Sequence, residues 1–156
     1  MKNRKNNKGF SLVELIVVVA IMAVLVGVLA PAYLKYVEKS RVQKDVSAVS
    51  EVMAACEVAL ADETINKNTT SATISFAPTA TFTKAAADAD ASARTLENEL
   101  ADTLGTSVTL TSNGLKTAGV TVTVTVDQTS GAITITAAAG EGASATAAAA
   151  ITALNN

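Results

Sequence analysis

Hydrophobic and polar positions divide the chain into three regimes. From Leu15 to Pro31 almost every residue is apolar, with neither the alternation of a strand nor the polar face of a soluble helix. A run of about twenty such residues is the length that crosses the hydrocarbon of a bilayer as a helix. Beyond it the apolar positions thin to Val42, Val46, Val49, Met53, Cys56 and Leu60, at spacings of four, three, four, three and four. That spacing predicts an apolar seam along a helix continuing out of the first run, with Lys39, Gln43, Ser47, Ser50 and Glu51 around the rest of its circumference. A helix from Phe10 to Ala61 would measure about 78 Å at 1.5 Å per residue. The seam is too short for a sustained zipper and reads as core, with Cys56 a small buried hydrophobe.

The polar stretch Asp62 to Asn68 breaks this pattern, and a head of different period follows. Thr73 to Ala77 reads as a short strand stopped by Pro78, with Phe82 a core residue beyond it. Ala86, Ala89, Ala93, Leu96, Leu100 and Leu104 keep helical spacing up to Gly105, which stands where a left-handed cap belongs. Val108 and Leu110, then Val120, Val122, Val124 and Val126, then Ile133 and Ile135 alternate with polar residues, mostly Thr. This predicts an antiparallel three-stranded meander with its apolar face on the Val42 to Leu60 seam and its Thr face in solvent. After Ala137 the chain is rich in Ala, and the pattern leaves strand, helix and flexible tail open for Ala143 to Leu154. The expected fold class is α+β: a long N-terminal helix, membrane-spanning in its first half, packed in its second half against a small antiparallel sheet with one additional helix. The expected segments are 1–9, 10–61 and 62–156, the last ending in an Ala/Thr-rich tail.

Composition narrows the function classes. The chain has no His, which removes the commonest general base and metal ligand, and no Gly-Lys-Ser/Thr phosphate loop. These features argue against an enzyme and against a cofactor or metal. A single cysteine forms no intramolecular disulfide. Four of the twelve basic residues, Lys2, Arg4, Lys5 and Lys8, precede Gly9, and no basic patch with interleaved aromatics is present elsewhere. Nucleic-acid binding by the isolated subunit therefore has little support.

One acid interrupts the start of the apolar segment. Glu14 in hydrocarbon costs about 2.5 to 3.5 kcal/mol, so a carboxylate there needs a function and a partner. Lys8-Gly9-Phe10-Ser11-Leu12-Val13-Glu14, the apolar run behind it and Pro31 resemble the type IV pilins and related prepilin-processed proteins, over about the first third of the chain. The resemblance implies that a membrane-embedded peptidase cuts between Gly9 and Phe10 on the cytoplasmic side, with Lys8 in the leader, and methylates the new Phe10 amine. It implies that Glu14 is the assembly acid and that the chain bends near Gly27 and Pro31. Ser11 stands in place of the commoner Thr and keeps the hydroxyl. Many Gram-negative pilins close their C-terminal region with a disulfide, and the lone Cys56 departs from that pattern, which points toward a Gram-positive source.

Physics gives the same residues a reason. A free amine at Phe10 would stand at the positive end of the helix macrodipole and needs an anion nearby, which Glu14 supplies from its own chain or a staggered neighbour. Gly27 and Pro31 weaken the helix, because proline removes a hydrogen bond and crowds the preceding turn. Tyr33 and Tyr36 suit the membrane exit. The resemblance implies these partners: further copies of the chain in a helical homopolymer, the prepilin peptidase and methylase, a membrane platform protein, an assembly ATPase, and the lipid bilayer before assembly. The precursor would lie in the cytoplasmic membrane, leader inside and head outside, and the assembled subunit in an extracellular filament used in adhesion, motility or aggregation. Two alternatives stay open. One is a pseudopilin of a type II secretion or DNA-uptake machine. The other is a secreted binding or adhesive module behind an ordinary signal peptide, cut after Ala32 in Ala30-Pro31-Ala32.

Overall fold

The computed structural model describes residues 10–82 and 95–156. Helix α1 runs Leu12–Leu60, close to the expected bounds, and is unbroken through Pro31. The chain divides into two compact units, one up to Val37 and one from Glu38 to the C-terminus. The first is the apolar part of α1. Its aliphatic side chains from Leu12 to Leu34 are exposed, and its most apolar eighteen residues have a mean hydropathy of 3.1.

The second unit is an α+β head built on the remainder of α1. Val42, Val49, Cys56 and Leu60 are buried as the seam predicts, while Val46 and Met53 only flank the core. The buried stripe also takes in Asp45, Val52, Ala55 and Ala59, and Lys39, Gln43, Ser47, Ser50 and Glu51 remain exposed. Burial pushes the Cys56 thiol up to about 11, so it stays protonated. At its C-terminal end α1 gives the Leu60 carbonyl to the Asn66 side chain at 3.2 Å. The stretch read from sequence as a break is itself a short helix, α2, Glu63–Asn68, with Asp62 as its N-cap accepting from the Thr64 N–H at 2.8 Å.

Strand β1, Ser71–Phe76, and β2, Thr79–Thr81, follow, with Phe76 and Phe82 buried. Helix α3, Leu96–Leu104, is capped by Thr95 and buries Leu96, Leu100 and Ala101. The expected start of this helix at Ala86, Ala89 and Ala93 lies outside the described residues. Gly105 adopts φ 83° with ψ −175°, an extended position reserved for glycine rather than the left-handed cap expected.

The sheet order differs from the expected meander. Strand β3, Ser107–Thr109, pairs with β2 in a separate two-stranded sheet, and a single turn of helix, α4, Asn113–Lys116, separates it from β4, Val120–Val126. The three-stranded sheet is β1-β4-β5, all antiparallel, with β5 spanning Ile133–Ala139. Central β4 matches its pattern: all four valines are buried, Thr121 and Thr123 are half-buried, and Thr125 is exposed. Of the two isoleucines of β5, Ile133 is exposed and only Ile135 packs on the core.

The C-terminal segment is not a tail. Helix α5, Ala145–Thr152, is capped by Ser144 and buries Ala147 and Ile151. A 3-10 turn, Ala153–Asn155, then brings the Asn155 side chain onto the backbone of β5. There its Oδ1 accepts from the Ala137 N–H at 2.7 Å and its Nδ2 donates to the Ala137 carbonyl at 2.9 Å. The Ala side chain has no polar group for such a lock, so the Ala-rich run is fixed by its caps, by burial of Ala147 and Ile151 and by the Asn155 amide.

A polar clamp joins α1 to the segment ahead of α4 and to the start of α4 itself. Asp45, 1 % exposed, accepts from the Thr111 N–H at 2.8 Å, the Thr111 hydroxyl at 3.0 Å and the Ser112 N–H at 2.8 Å. Two turns earlier on the same face, Glu38 Oε1 accepts from the Gly114 N–H at 3.0 Å. Asp45→Ala is expected to lower head stability by about 3 kcal/mol, since it strands buried donors as well as removing charged hydrogen bonds. Urea denaturation of the detergent-held chain would read this. Asp127, in the β4–β5 turn, accepts from the Ser130 hydroxyl and from the N–H groups of Thr129 and Ser130, which hold its carboxyl below the usual 3.8. Its contribution is therefore fully present above that value and lost as pH falls through the lower folded value. Asp127→Asn should remove this acid-side component from the stability curve, measured by thermal melts between about pH 2 and 5.

Candidate processing and assembly site

The candidate site is the N-terminal end of α1. Lys8 and Gly9 lie outside the described residues. Phe10 precedes the helix and is 85 % exposed. Ser11 takes the N-cap position of α1, and its N–H donates to Glu14 Oε2 at 2.9 Å. A glutamate three residues into a helix reaching back to the N-cap amide is one half of a capping box, here satisfying a donor that the helix leaves unpaired. The carboxylate thus sits at the positive end of the helix, within one turn of Phe10. Sequence spacing places Glu14 near the Phe10 amine, whereas in the structure its partner is the neighbouring amide of Ser11.

Behind Glu14 the helix offers only aliphatic surface. Val13, Ile16, Val17, Val24 and Leu25 are exposed, and no other part of their unit covers them. Gly27 and Pro31 belong to one turn. Pro31 has no N–H to give the Gly27 carbonyl four residues earlier, and the added Cβ of a larger residue at Gly27 would meet nothing within 4 Å. Here glycine is not required by packing in the isolated chain, and its effect is to loosen the turn that Pro31 already weakens. Tyr33 and Tyr36 are exposed, as membrane-exit anchors would be.

Sequence reasoning missed Asp45 and Glu38. Their spacing of seven on one helix face was the available signal, but a carboxylate inside an apolar seam reads as solvated until its backbone donors are known.

The comparisons with known proteins agree with this geometry. A family model described as the prokaryotic N-terminal methylation motif matches residues 4–30. The chain is similar to a "Fimbrial protein" of Pseudomonas aeruginosa, 41 % identical over 56 residues, which is 36 % of each chain. It is also similar to the "Type IV major fimbrial protein FimA" of Dichelobacter nodosus, 38 % identical over 55 residues and 35 % of each chain. The chain thus spans about a third of the length of the curated relatives it matches. No solved structure matches significantly. Neither relative lends support to a Gram-positive source.

A charge placed in the uncovered run tests whether it meets lipid. Leu25→Lys is expected to disfavour insertion by about 3 kcal/mol, moving the full chain out of the membrane pellet after alkaline carbonate extraction. Unchanged retention would count against a bilayer-facing position. The chain therefore carries a prokaryotic N-terminal methylation motif at the head of an uncovered apolar helix, and it is similar to type IV fimbrial proteins over about a third of their length.

Proposed function

We propose that the chain is a structural subunit of an extracellular type IV filament and has no catalytic role. One observation carries this reading: the methylation motif over residues 4–30 leads directly into a helix whose apolar surface nothing in its own unit covers. The precursor rests in the cytoplasmic membrane with residues 1–9 inside and the head outside. A prepilin peptidase cuts between Gly9 and Phe10, and the new Phe10 amine is methylated. A platform protein and an ATPase then move the subunit from lipid into a bundle of copies, helix against helix.

In that transfer Glu14 changes partner. Bound to the Ser11 amide before assembly, it is free to accept from the Phe10 amine of a neighbouring copy once cleavage has created that amine. A buried pair of this kind sets register more than stability, because desolvation offsets its Coulomb attraction. Gly27 and Pro31 let the helix adjust to its neighbours as it leaves the bilayer.

Material sheared from the cell surface should contain a chain whose intact mass and N-terminal sequence begin at methylated Phe10. The same terminus confined to the membrane fraction would point to a pseudopilin, and a terminus at Tyr33 would overturn the filament reading. Glu14→Ala should be processed and remain in the membrane at wild-type level while sheared filaments fall by at least about tenfold, a loss of one charged hydrogen bond at each subunit contact. Normal filament yield would remove Glu14 from assembly.

A further inference from the structure

Charge along the chain is segregated rather than mixed. Between positions 35 and 44 stand Lys35, Lys39, Arg41 and Lys44 against Glu38 alone, a net charge of +3. From Asp45 to the C-terminus twelve acids face four bases. The four cations of the stretch are all exposed. Glu38 does little to neutralise them: its Oε1 accepts from the Gly114 N–H, and its Oε2 lies 3.9 Å from Arg41, whose side chain is half exposed.

The position of this basic stretch in the sequence indicates its partner. Lys35 directly follows Leu34, the end of the exposed aliphatic run, and the first cation stands between Tyr33 and Tyr36. A soluble surface disperses both signs of charge, whereas this one collects cations where the chain leaves the apolar segment. With the leader on the cytoplasmic side, these basic residues run against the usual bias of Lys and Arg toward that side and lie at the far leaflet. Lys and Arg beside a span extend their stems along the helix and place their charges among the headgroups. Anionic headgroups attract them with a strength that fades within a Debye length.

We infer that residues 35–44 form a basic collar that binds the anionic headgroups of the leaflet facing the head before the subunit is assembled. This rests on the reading of the first half of α1 as membrane-spanning. The collar holds the precursor upright at a fixed depth and opposes its withdrawal toward the leader side. It must be released from lipid when the subunit enters the filament.

The test uses the full chain, which has no Trp, so Tyr33→Trp introduces a unique reporter beside the collar. The protein is reconstituted in vesicles of phosphatidylcholine with a minority of phosphatidylglycerol, and bromine is carried on one lipid or the other. Quenching per mole of brominated lipid should be about fivefold greater for phosphatidylglycerol, the excess expected from one effective basic side chain at the surface. The preference should fall toward parity in about 1 M salt, where screening is short-ranged. It should also fall when Lys35, Lys39, Arg41 and Lys44 are all replaced by Gln, with the leader left intact. Equal quenching by the two lipids in the unmodified collar overturns the proposal, as does a preference that survives the four replacements. Quenching by neither lipid removes the membrane-spanning reading and the collar with it. If the replacements abolish filaments yet leave the lipid preference intact, the collar's partner is the acidic head of a neighbouring copy and not the membrane.

Discussion

The structure depends on one constraint: the first unit contains far more apolar surface than it covers by itself. Burying a large aliphatic side chain is worth about 1.5 to 3 kcal/mol. Summed along the exposed run from Leu12 to Leu34, this exceeds the net stability of an ordinary domain, about 5 to 15 kcal/mol. No arrangement of the head could offset leaving that run in water. The first half of α1 must therefore always have an apolar surrounding, and a bilayer and a bundle of like helices are the two that its composition suits. Either is compatible with a side-chain set made almost wholly of Val, Leu, Ile and Ala, because neither asks for directional contacts beyond the first turn.

The head has the opposite requirement, since it must fold on a helix whose other half belongs elsewhere. It does so with a core confined to the Glu38–Asn156 unit and with two carboxylates that tie α1 to the loop before α4 and to the first turn of α4. Burying Asp45 carries a desolvation cost, which three donors from Thr111 and Ser112 offset. Apolar packing alone would allow α1 to slide or rotate by a residue against the sheet. Directional hydrogen bonds donated by two consecutive backbone amides to one carboxylate do not. Gly140 tightens the head in a different way: an added Cβ would collide with the Ala118 carbonyl oxygen, so backbone meets backbone where β5 ends.

The elements legible in the sequence were those in which one physical period dominates. The apolar run, the seam of Val42, Val49, Cys56 and Leu60, and the alternation of β4 each announce themselves, and the motif at Gly9, Phe10 and Glu14 was recognised from residue types at fixed offsets. Topology was less legible. Val108 and Val120 carry the same strand signal, yet β3 pairs with β2 and β1 takes the place beside β4, because strand pairing depends on contacts distant in sequence. Asp62 to Asn68 looked like a break because a helix of one to two turns has too few residues to show a period, and its order comes from the Asp62 cap and the Gln128 side chain bonded to the Asn66 and Thr69 carbonyls. The C-terminal run was undecidable for a related reason: Ala is compatible with nearly any element, so only Ser144 and Asn155 fixed the outcome.

The two halves of α1 bear on how similarity is distributed: the methylation motif ends at residue 30, while the matches to the fimbrial proteins extend over 55 to 56 residues, longer than the apolar run. The methylation motif covers residues 4–30, where a peptidase, a bilayer and neighbouring helices would each restrict the same few positions. Beyond the apolar run the chain answers mainly to its own core, and many sequences can bury a helix against a three-stranded sheet. The residues that fix this particular head, Asp45, Gly140 and Asn155, serve contacts specific to its own loops. A relative with a different loop before β4 or a different C-terminal segment would have no use for them. Divergence of the head from the fimbrial proteins it resembles is then what the physics predicts, with the shared constraint concentrated in the N-terminal helix.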